Sequence, residues 1–145
     1  MSTVFHLVAW VVLQRSDGLV LLARRHGVSY GAGLWGLPGG HVDDHETLAG
    51  TAVRETFEEV GLRVDPAALE MLGVTRYVDR QHSGVDFFYR ARSWQGAPSA
   101  VAECSEVAWH SPDNLPAESL GWLAGALRIH LADGHWLDEQ VDPSC

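Results

Sequence analysis

The chain has no lysine and only two cysteines, and both features narrow the class of protein. Its ten basic residues are all arginine, nineteen residues are acidic, and the formal net charge is −9. Because binding to a nucleic-acid backbone depends on basic contacts, we expect no nucleic-acid partner. Cys104 and Cys145 lie far apart and fit neither a disulfide framework nor a paired metal-ligand spacing.

Long apolar stretches are missing as well. The longest run, Leu7 to Leu13, is far shorter than the roughly 20 residues of a membrane-spanning helix, and no signal peptide is recognisable. We therefore expect a cytoplasmic protein with no membrane partner. Hydrophobic residues make up 46% of the 145 residues, which is enough for a core, and no repeat or linker interrupts them. The prediction is a single domain over residues 1–145.

Alternation and apolar runs predict strands before and after a central helix. A turn at Ser16–Gly18 predicts that the first two strands form a hairpin. A second amphipathic helix is predicted over Leu120–Leu131, and the tail from Asp133 has no strong pattern. The strands are predicted over residues 4–13, 19–23, 69–77, 85–94 and 106–110. This order predicts an α/β fold in which a mixed β-sheet is flanked by helices.

The first helix, predicted over Thr47–Val60 and ended by Gly61, carries three glutamates on one face. Glu55, Glu58 and Glu59 are three and four residues apart, so they project from the same side. Arg54 alone cannot neutralise three carboxylates, whereas Mg²⁺ takes oxygen ligands and could do so. By itself, a glutamate-rich face is more often a solvated surface. The apolar positions of this helix are Leu48, Ala52, Val53, Phe57 and Val60.

The residues around this helix decide between a solvated surface and a metal site. They follow the pattern G-x5-E-x7-R-E-U-x-E-E-x-G-U, in which U is a bulky aliphatic residue. The matching residues are Gly40, Glu46, Arg54, Glu55, Glu58, Glu59, Gly61 and Leu62. The chain therefore resembles the Nudix hydrolase family, with Thr56 as the departure at one U position. The resemblance implies a Nudix-type α/β/α sandwich that cleaves a phosphoanhydride bond in a nucleoside diphosphate compound.

The resemblance also implies roles for individual residues. Glu58 and Glu59 correspond to the principal ligands of Mg²⁺, with Mn²⁺ as an alternative ion, and Glu55 to a further ligand or the base that activates water. The carbonyl of Gly39 corresponds to another ligand, and Arg54 would orient the glutamates. The residues implied to keep the loop and helix in shape are Gly40, Glu46 and Gly61.

Outside the motif the chain is most similar to the MutT-like branch, which acts on nucleoside triphosphates. The layout of residues 22–25, 34–40 and 94–98 carries this similarity. It implies a substrate contact for Arg25, with an ordinary surface arginine as the alternative. Its neighbour Arg24 is a further candidate for substrate binding, on the opposite face if both lie on a strand. Trp35 is a candidate for stacking on a base, although strand aromatics are more often core. The other aromatic candidates are Tyr30, Tyr77 and Phe87.

A further metal-binding glutamate is common in this branch, but its usual positions are occupied here by Ala100 and Ala102. Glu103 is narrowly preferred over Glu106 as a substitute, and the number of metals stays open.

The other motifs of the sequence predict no additional site. Gly31–Gly36 spells G-x-G-x-x-G, but residues 37–40 cannot open the helix that a dinucleotide-binding fold needs. Histidines 41, 45 and 82 have no paired ligand spacing and are predicted to be ordinary loop residues, while His6 is predicted to pack in the first strand.

The predicted partner is a small nucleotide. The predicted reaction cuts a nucleoside triphosphate, which can be an oxidised one, into the monophosphate and pyrophosphate. The alternatives are an enzyme that cleaves a nucleotide sugar or ADP-ribose, and a regulator that binds a nucleotide without hydrolysing it. Monomer and homodimer are both open.

Overall fold

The computed structural model describes residues 4–143 and places two β-sheets between two helical layers. The strands are β1 Phe5–Leu13, β2 Val20–Arg25, β3 Trp35–Gly36, β4 Gly39–His41, β5 Glu70–Val78, β6 Ser83–Ala91, β7 Cys104–His110 and β8 Leu137–Val141. The helices are α1 Leu48–Val60, a 3₁₀ turn Pro66–Ala68, α2 Leu123–Ala126 and its π-helical continuation Leu127–Ala132. The strand order is β4-β1-β6-β5-β8 in one sheet and β3-β2-β7 in the other. Within residues 4–143, no helix is long and apolar enough to span a membrane.

Strand β1 supplies side chains to two separate cores. Successive residues of a strand point to opposite faces, so even-numbered residues meet α2 and odd-numbered residues meet α1. The core beneath α2 includes Val8, Trp10, Val12 and Leu123. The core beneath α1 includes Ala9, Val11, Leu13 and Ala52. Helices on both sides of the sheets make the α/β/α sandwich, which confirms the predicted fold class.

The predicted hairpin between the first two strands is wrong, although its turn forms. The Arg15 N–H donates to the Leu19 carbonyl at 2.9 Å, and a single bridge joins Gln14 to Val20. Beyond that bridge, β1 pairs with β4 and β6, while β2 pairs with β3 and β7. Both strands are buried, so the backbone groups along both of their edges need hydrogen-bond partners. Each strand has its two partner strands in its own sheet, and the two strands therefore separate.

Helix α1 begins and ends close to the predicted residues. Thr47 is its N-cap and accepts a hydrogen bond from the Gly50 N–H, and Gly61 ends it in the left-handed region at φ 74°. The expectation that Phe57 packs inward is wrong, because Phe57 is 43% exposed and lies under the Arg63 guanidinium at 4.3 Å. Thr56 is buried, and its hydroxyl donates to the Ala52 carbonyl at 2.7 Å, which satisfies the polar group in the core.

The C-terminal part differs from the prediction in two respects. The helix starts at Leu123 and widens to a π-helix around His130, which is 2% exposed. The His130 ring nitrogens lie 2.8 Å from the Thr75 hydroxyl and 2.7 Å from the His135 carbonyl. The tail also forms β8, parallel to β5. This strand lies at the sheet edge and is mostly exposed, so its sequence lacks the apolar alternation that would have revealed it.

Candidate active site

Strand β4 holds two motif glycines against the glutamate face of α1. The Gly39 N–H donates to Glu59 Oε2 at 2.9 Å. A Cβ atom at Gly40 would lie 2.5 Å from Glu55 Oε1, so glycine is what leaves room for that carboxylate. A Cβ atom at Gly39 would collide with the backbone of Ala9 and with Trp10. Both glycines are thus required by close approach, which the sequence pattern alone could not explain.

Arg54 joins the motif residues into one network. Its Nε and Nη2 atoms donate to Glu46 at 2.7 and 2.9 Å, and its Nη1 atom donates to Glu55 at 2.9 Å and Glu58 at 3.1 Å. The guanidinium lowers the pKa of Glu46 to about 2, so Glu46 is ionised at neutral pH. Glu46 also accepts a hydrogen bond from the Thr51 hydroxyl at 2.9 Å, a partner that the sequence analysis missed because Glu46 precedes the helix. Glu46 therefore holds Arg54 where it reaches two glutamates.

Glu55 and Glu59 are the buried acids of the site. Burial raises the pKa of Glu59 to about 8, against the hydrogen bond from the Gly39 N–H, and burial also raises the pKa of Glu55. Glu58 is more open, with 51% of its side chain exposed. Two carboxylates that lose hydration in this way favour a nearby cation, which restores their ionised form.

The donor chemistry fits a hard divalent ion, since the side chains present oxygen atoms and Mg²⁺ or Mn²⁺ prefers oxygen ligands. Arg54 Nη1 lies between Glu55 and Glu58, and in the described part of the chain no three His, Cys, Asp or Glu side chains already surround one point. The carboxylates that could bind the ion therefore lie on one face of α1 but do not yet surround a single point.

The loop before β7 bears on the choice between the two candidates for an additional glutamate. The Val101 N–H donates to the Glu59 carbonyl at 3.0 Å, which fixes the loop against the end of α1. After burial, the charge of Glu103 is among the influences that raise the pKa of Glu59. Glu106 instead pairs with Arg24 at 3.3 Å. The arrangement supports the preference for Glu103.

Arg24 and Arg25 face opposite sides of β2, as predicted, and have different surroundings. Arg24 donates to the Gly33 carbonyl at 2.9 Å and to Glu118 at 2.6 Å, besides its pair with Glu106. These contacts occupy its guanidinium in binding neighbouring segments, and they do not support the predicted substrate contact of Arg24.

Arg25 lies on the glutamate side of β2. Its Nε atom donates to the Tyr30 carbonyl at 2.9 Å. Burial dominates the raised pKa of Glu59, and the positive charge of Arg25 acts in the opposite direction. Arg25 shares a side of β2 with Leu21 and Ala23, which pack in the core beneath α1, so the predicted substrate contact of Arg25 stays a prediction.

Trp35, a predicted stacking residue, belongs to the core. It is 8% exposed, and its ring meets the His110 ring edge-on at 5.6 Å. A ring with so little free surface does not support the predicted stacking role. Tyr30 is 53% exposed and lies 5.7 Å from the Arg25 guanidinium, so it is the aromatic candidate with an available face.

The glycine-rich segment 31–36 also departs from a dinucleotide-binding loop. Its last two residues form β3, and β4 follows in place of a helix, which confirms that the G-x-G-x-x-G match has no structural support.

A sandwich with this glutamate-bearing helix beside paired glycines is shared with a known family. The NUDIX domain profile matches residues 4–128, and the chain belongs to the Nudix family. The relatives that it matches include proteins of the MutT-like kind. A Mycobacterium tuberculosis protein named "Putative 8-oxo-dGTP diphosphatase 3" is 39% identical over 112 residues, 76% of this chain and 47% of that protein. The "MutT-like protein" of Streptomyces ambofaciens is 34% identical over 108 residues, 74% of this chain and 64% of that one.

The solved structures agree with this assignment. The crystal structure of a MutT NUDIX hydrolase from Burkholderia pseudomallei superposes with a TM-score of 0.78 at 28% identity, covering 88% of this chain and 98% of that one. The chain spans about half the length of the Mycobacterium tuberculosis relative. The family and the fold are therefore shared.

Proposed function

We propose that this chain is a Mg²⁺-dependent pyrophosphohydrolase that cuts a nucleoside triphosphate into the monophosphate and pyrophosphate. The observation that carries the proposal is the glutamate face of α1, with Glu55 and Glu59 buried against Gly39 and Gly40 and with Arg25 on the side of β2 that faces α1. Negative charges of carboxylates that lie this close together and are removed from water fit a site that binds a divalent cation together with a polyphosphate.

Each residue of the site has a role in this proposal. Glu58, Glu59 and the Gly39 carbonyl would hold the ion, and Glu103 would add a ligand. A bound Mg²⁺ offsets phosphate charge and lowers the pKa of a coordinated water. Glu55, oriented by Arg54 at 2.9 Å, is the carboxylate that can accept a proton from the attacking water.

The substrate end of the site is formed by Arg25 and Tyr30. A guanidinium can donate two parallel hydrogen bonds to a phosphate, and an exposed ring can stack on a base. The Mycobacterium tuberculosis relative is named for an oxidised guanine nucleotide. We therefore propose oxidised deoxyguanosine triphosphate as the first nucleotide to try, with the common triphosphates beside it.

A substrate panel with identified products tests the proposal. The purified chain is incubated with triphosphates, ADP-ribose and nucleotide sugars, with Mg²⁺, with Mn²⁺ or with a chelator. We expect pyrophosphate from a triphosphate only when a divalent ion is present. Release of a sugar phosphate instead would assign the enzyme to ADP-ribose or nucleotide sugars, and binding without any turnover would indicate a regulator.

The Glu59→Gln variant links that activity to the site. Loss of a residue that only supports a metal ligand lowers metal affinity or activity by about 10–100-fold. Loss of a ligand itself should therefore lower kcat by at least about a hundredfold. Glu139→Gln, a change of the same kind on the exposed strand β8, is the control and should leave kcat unchanged. Full activity of Glu59→Gln would remove this face of α1 from the reaction.

A further inference from the structure

Three histidines lie beside one another at one end of the five-stranded sheet, although in the described part of the chain their rings do not already surround one point. His6 lies in β1, His41 ends β4, and His82 precedes β6. His6 Nδ1 is 3.0 Å from His41 Nε2, and the His6 ring centroid is 5.2 Å from that of His41 and 5.7 Å from that of His82. The prediction of a loop residue is wrong for His41, which ends β4, while His82 lies outside the strands as predicted. Strand pairing brings together His6 and His41, which have no ligand spacing in the sequence.

We propose that His6 and His41, with His82 as a third ligand, form a binding site for a transition-metal ion of the Zn²⁺ class. Two nitrogen atoms, each about 2.0–2.1 Å from one ion, lie about 2.9–3.4 Å apart for bond angles from a right angle to the tetrahedral value. The 3.0 Å separation of His6 Nδ1 and His41 Nε2 falls within that span. An ion would use both lone pairs, whereas a hydrogen bond between two neutral rings uses only one.

His82 has the properties of a third ligand that completes the site by rotation. Its side chain is 49% exposed, so it can turn without disturbing the core. Its Nδ1 atom is 3.6 Å from Asp79 Oδ1. Asp79 accepts hydrogen bonds from the backbone N–H groups of Gln81 and His82, both at 2.7 Å, which fix its position. A carboxylate placed behind a histidine ring orients it and strengthens it as a ligand.

The histidine site and the carboxylate site should select different ions. Imidazole nitrogen suits Zn²⁺, Ni²⁺ and Cu²⁺, whereas Mg²⁺ prefers oxygen. The two sites share strand β4, since His41 directly follows Gly40 and its carbonyl lies 3.4 Å from Arg54 Nη2. An ion on the histidines would therefore tie β1, β4 and the turn before β6 together without using a carboxylate of α1.

Calorimetric titration of the intact chain with Zn²⁺, in excess Mg²⁺ to saturate the carboxylates, tests the proposal. We expect one Zn²⁺ per chain, and a melting temperature that rises with Zn²⁺. His6→Gln and His41→Gln should weaken binding by more than about a hundredfold, and Asp79→Asn by about 10–100-fold. His45→Gln, an exposed histidine in the loop after β4, should bind Zn²⁺ like the unmodified chain.

The same titration on Glu59→Gln separates this site from the carboxylates of α1, because Zn²⁺ binding should persist in that variant. Circular dichroism establishes that each variant is folded, and His6→Gln decides if His41→Gln does not fold. Three results would overturn the proposal: no Zn²⁺ binding by the unmodified chain, equal binding by folded His6→Gln, or binding lost in Glu59→Gln and kept in His6→Gln.

Discussion

Replacing Gly40 with alanine should separate catalysis from stability at this site. The new Cβ atom would lie 2.5 Å from Glu55 Oε1, whereas carbon and oxygen atoms in weak contact are about 3.3–3.6 Å apart. The carboxylate must therefore move by roughly 1 Å, and a misplacement of that size can cost about a hundredfold in rate. Because the displaced atoms end a flexible side chain, the fold should lose little. The contact between Arg54 and Glu55 is worth at most about 1 kcal/mol, a few degrees in Tm.

Two further variants make this prediction sharp. At Gly39 a Cβ atom would lie 2.9 Å from the Cα atom of Trp10, which is backbone and cannot yield, so Gly39→Ala should destabilise the fold by about 1–3 kcal/mol. Gly125→Ala has open space around its new methyl group and lies in α2, so it should leave kcat unchanged and raise the stability by at most about 1 kcal/mol. Steady-state kinetics on the substrate found by the panel, with thermal melting of each variant, measure both effects. A kcat within threefold of normal for Gly40→Ala would show that the position of Glu55 is unimportant.

Three more contacts can be tested by substitution. Arg25→Ala should raise KM by about tenfold or more, since it removes a charged hydrogen bond to phosphate, while Arg24→Ala should leave KM unchanged; equal KM values for both would contradict the assignment. Since a bound guanidinium lowers the pKa of Glu46 to about 2, its stabilisation is complete above the ordinary value of 4.5 and is lost as the pH falls through about 2. The Tm difference between the unmodified chain and Glu46→Gln should narrow over that range, and a constant difference would argue against the ion pair. Gly73→Ala should lower the free energy of unfolding in urea by about 1–3 kcal/mol, because its methyl group would collide with the clamped ring of His130; unchanged stability would show that the ring can move.

Local patterns were reliable wherever a property depends on neighbours along the chain. Helical spacing places Glu55, Glu58 and Glu59 on one face, and Thr47 and Gly61 cap α1 through interactions within a few residues. Phe57 shows the limit of this reasoning. Its spacing matches the apolar face, but only the packing of α1 on the sheet decides which edge of that face is covered, and there Thr56 is buried instead.

The glutamate face, the motif and the alternation that builds two cores are all readable from residues close together in the chain. The separation of β1 from β2, the burial of Trp35, the ion pairs of Arg24 with neighbouring segments and the approach of His6 to His41 depend on the fold. The physical reason is the range of the interactions. Helix spacing and capping act over one or two turns, whereas strand pairing and side-chain contacts across sheets join residues whose separation leaves no periodic signal. The glutamates could therefore be recognised from the sequence, but the contacts that bury and orient them required the fold.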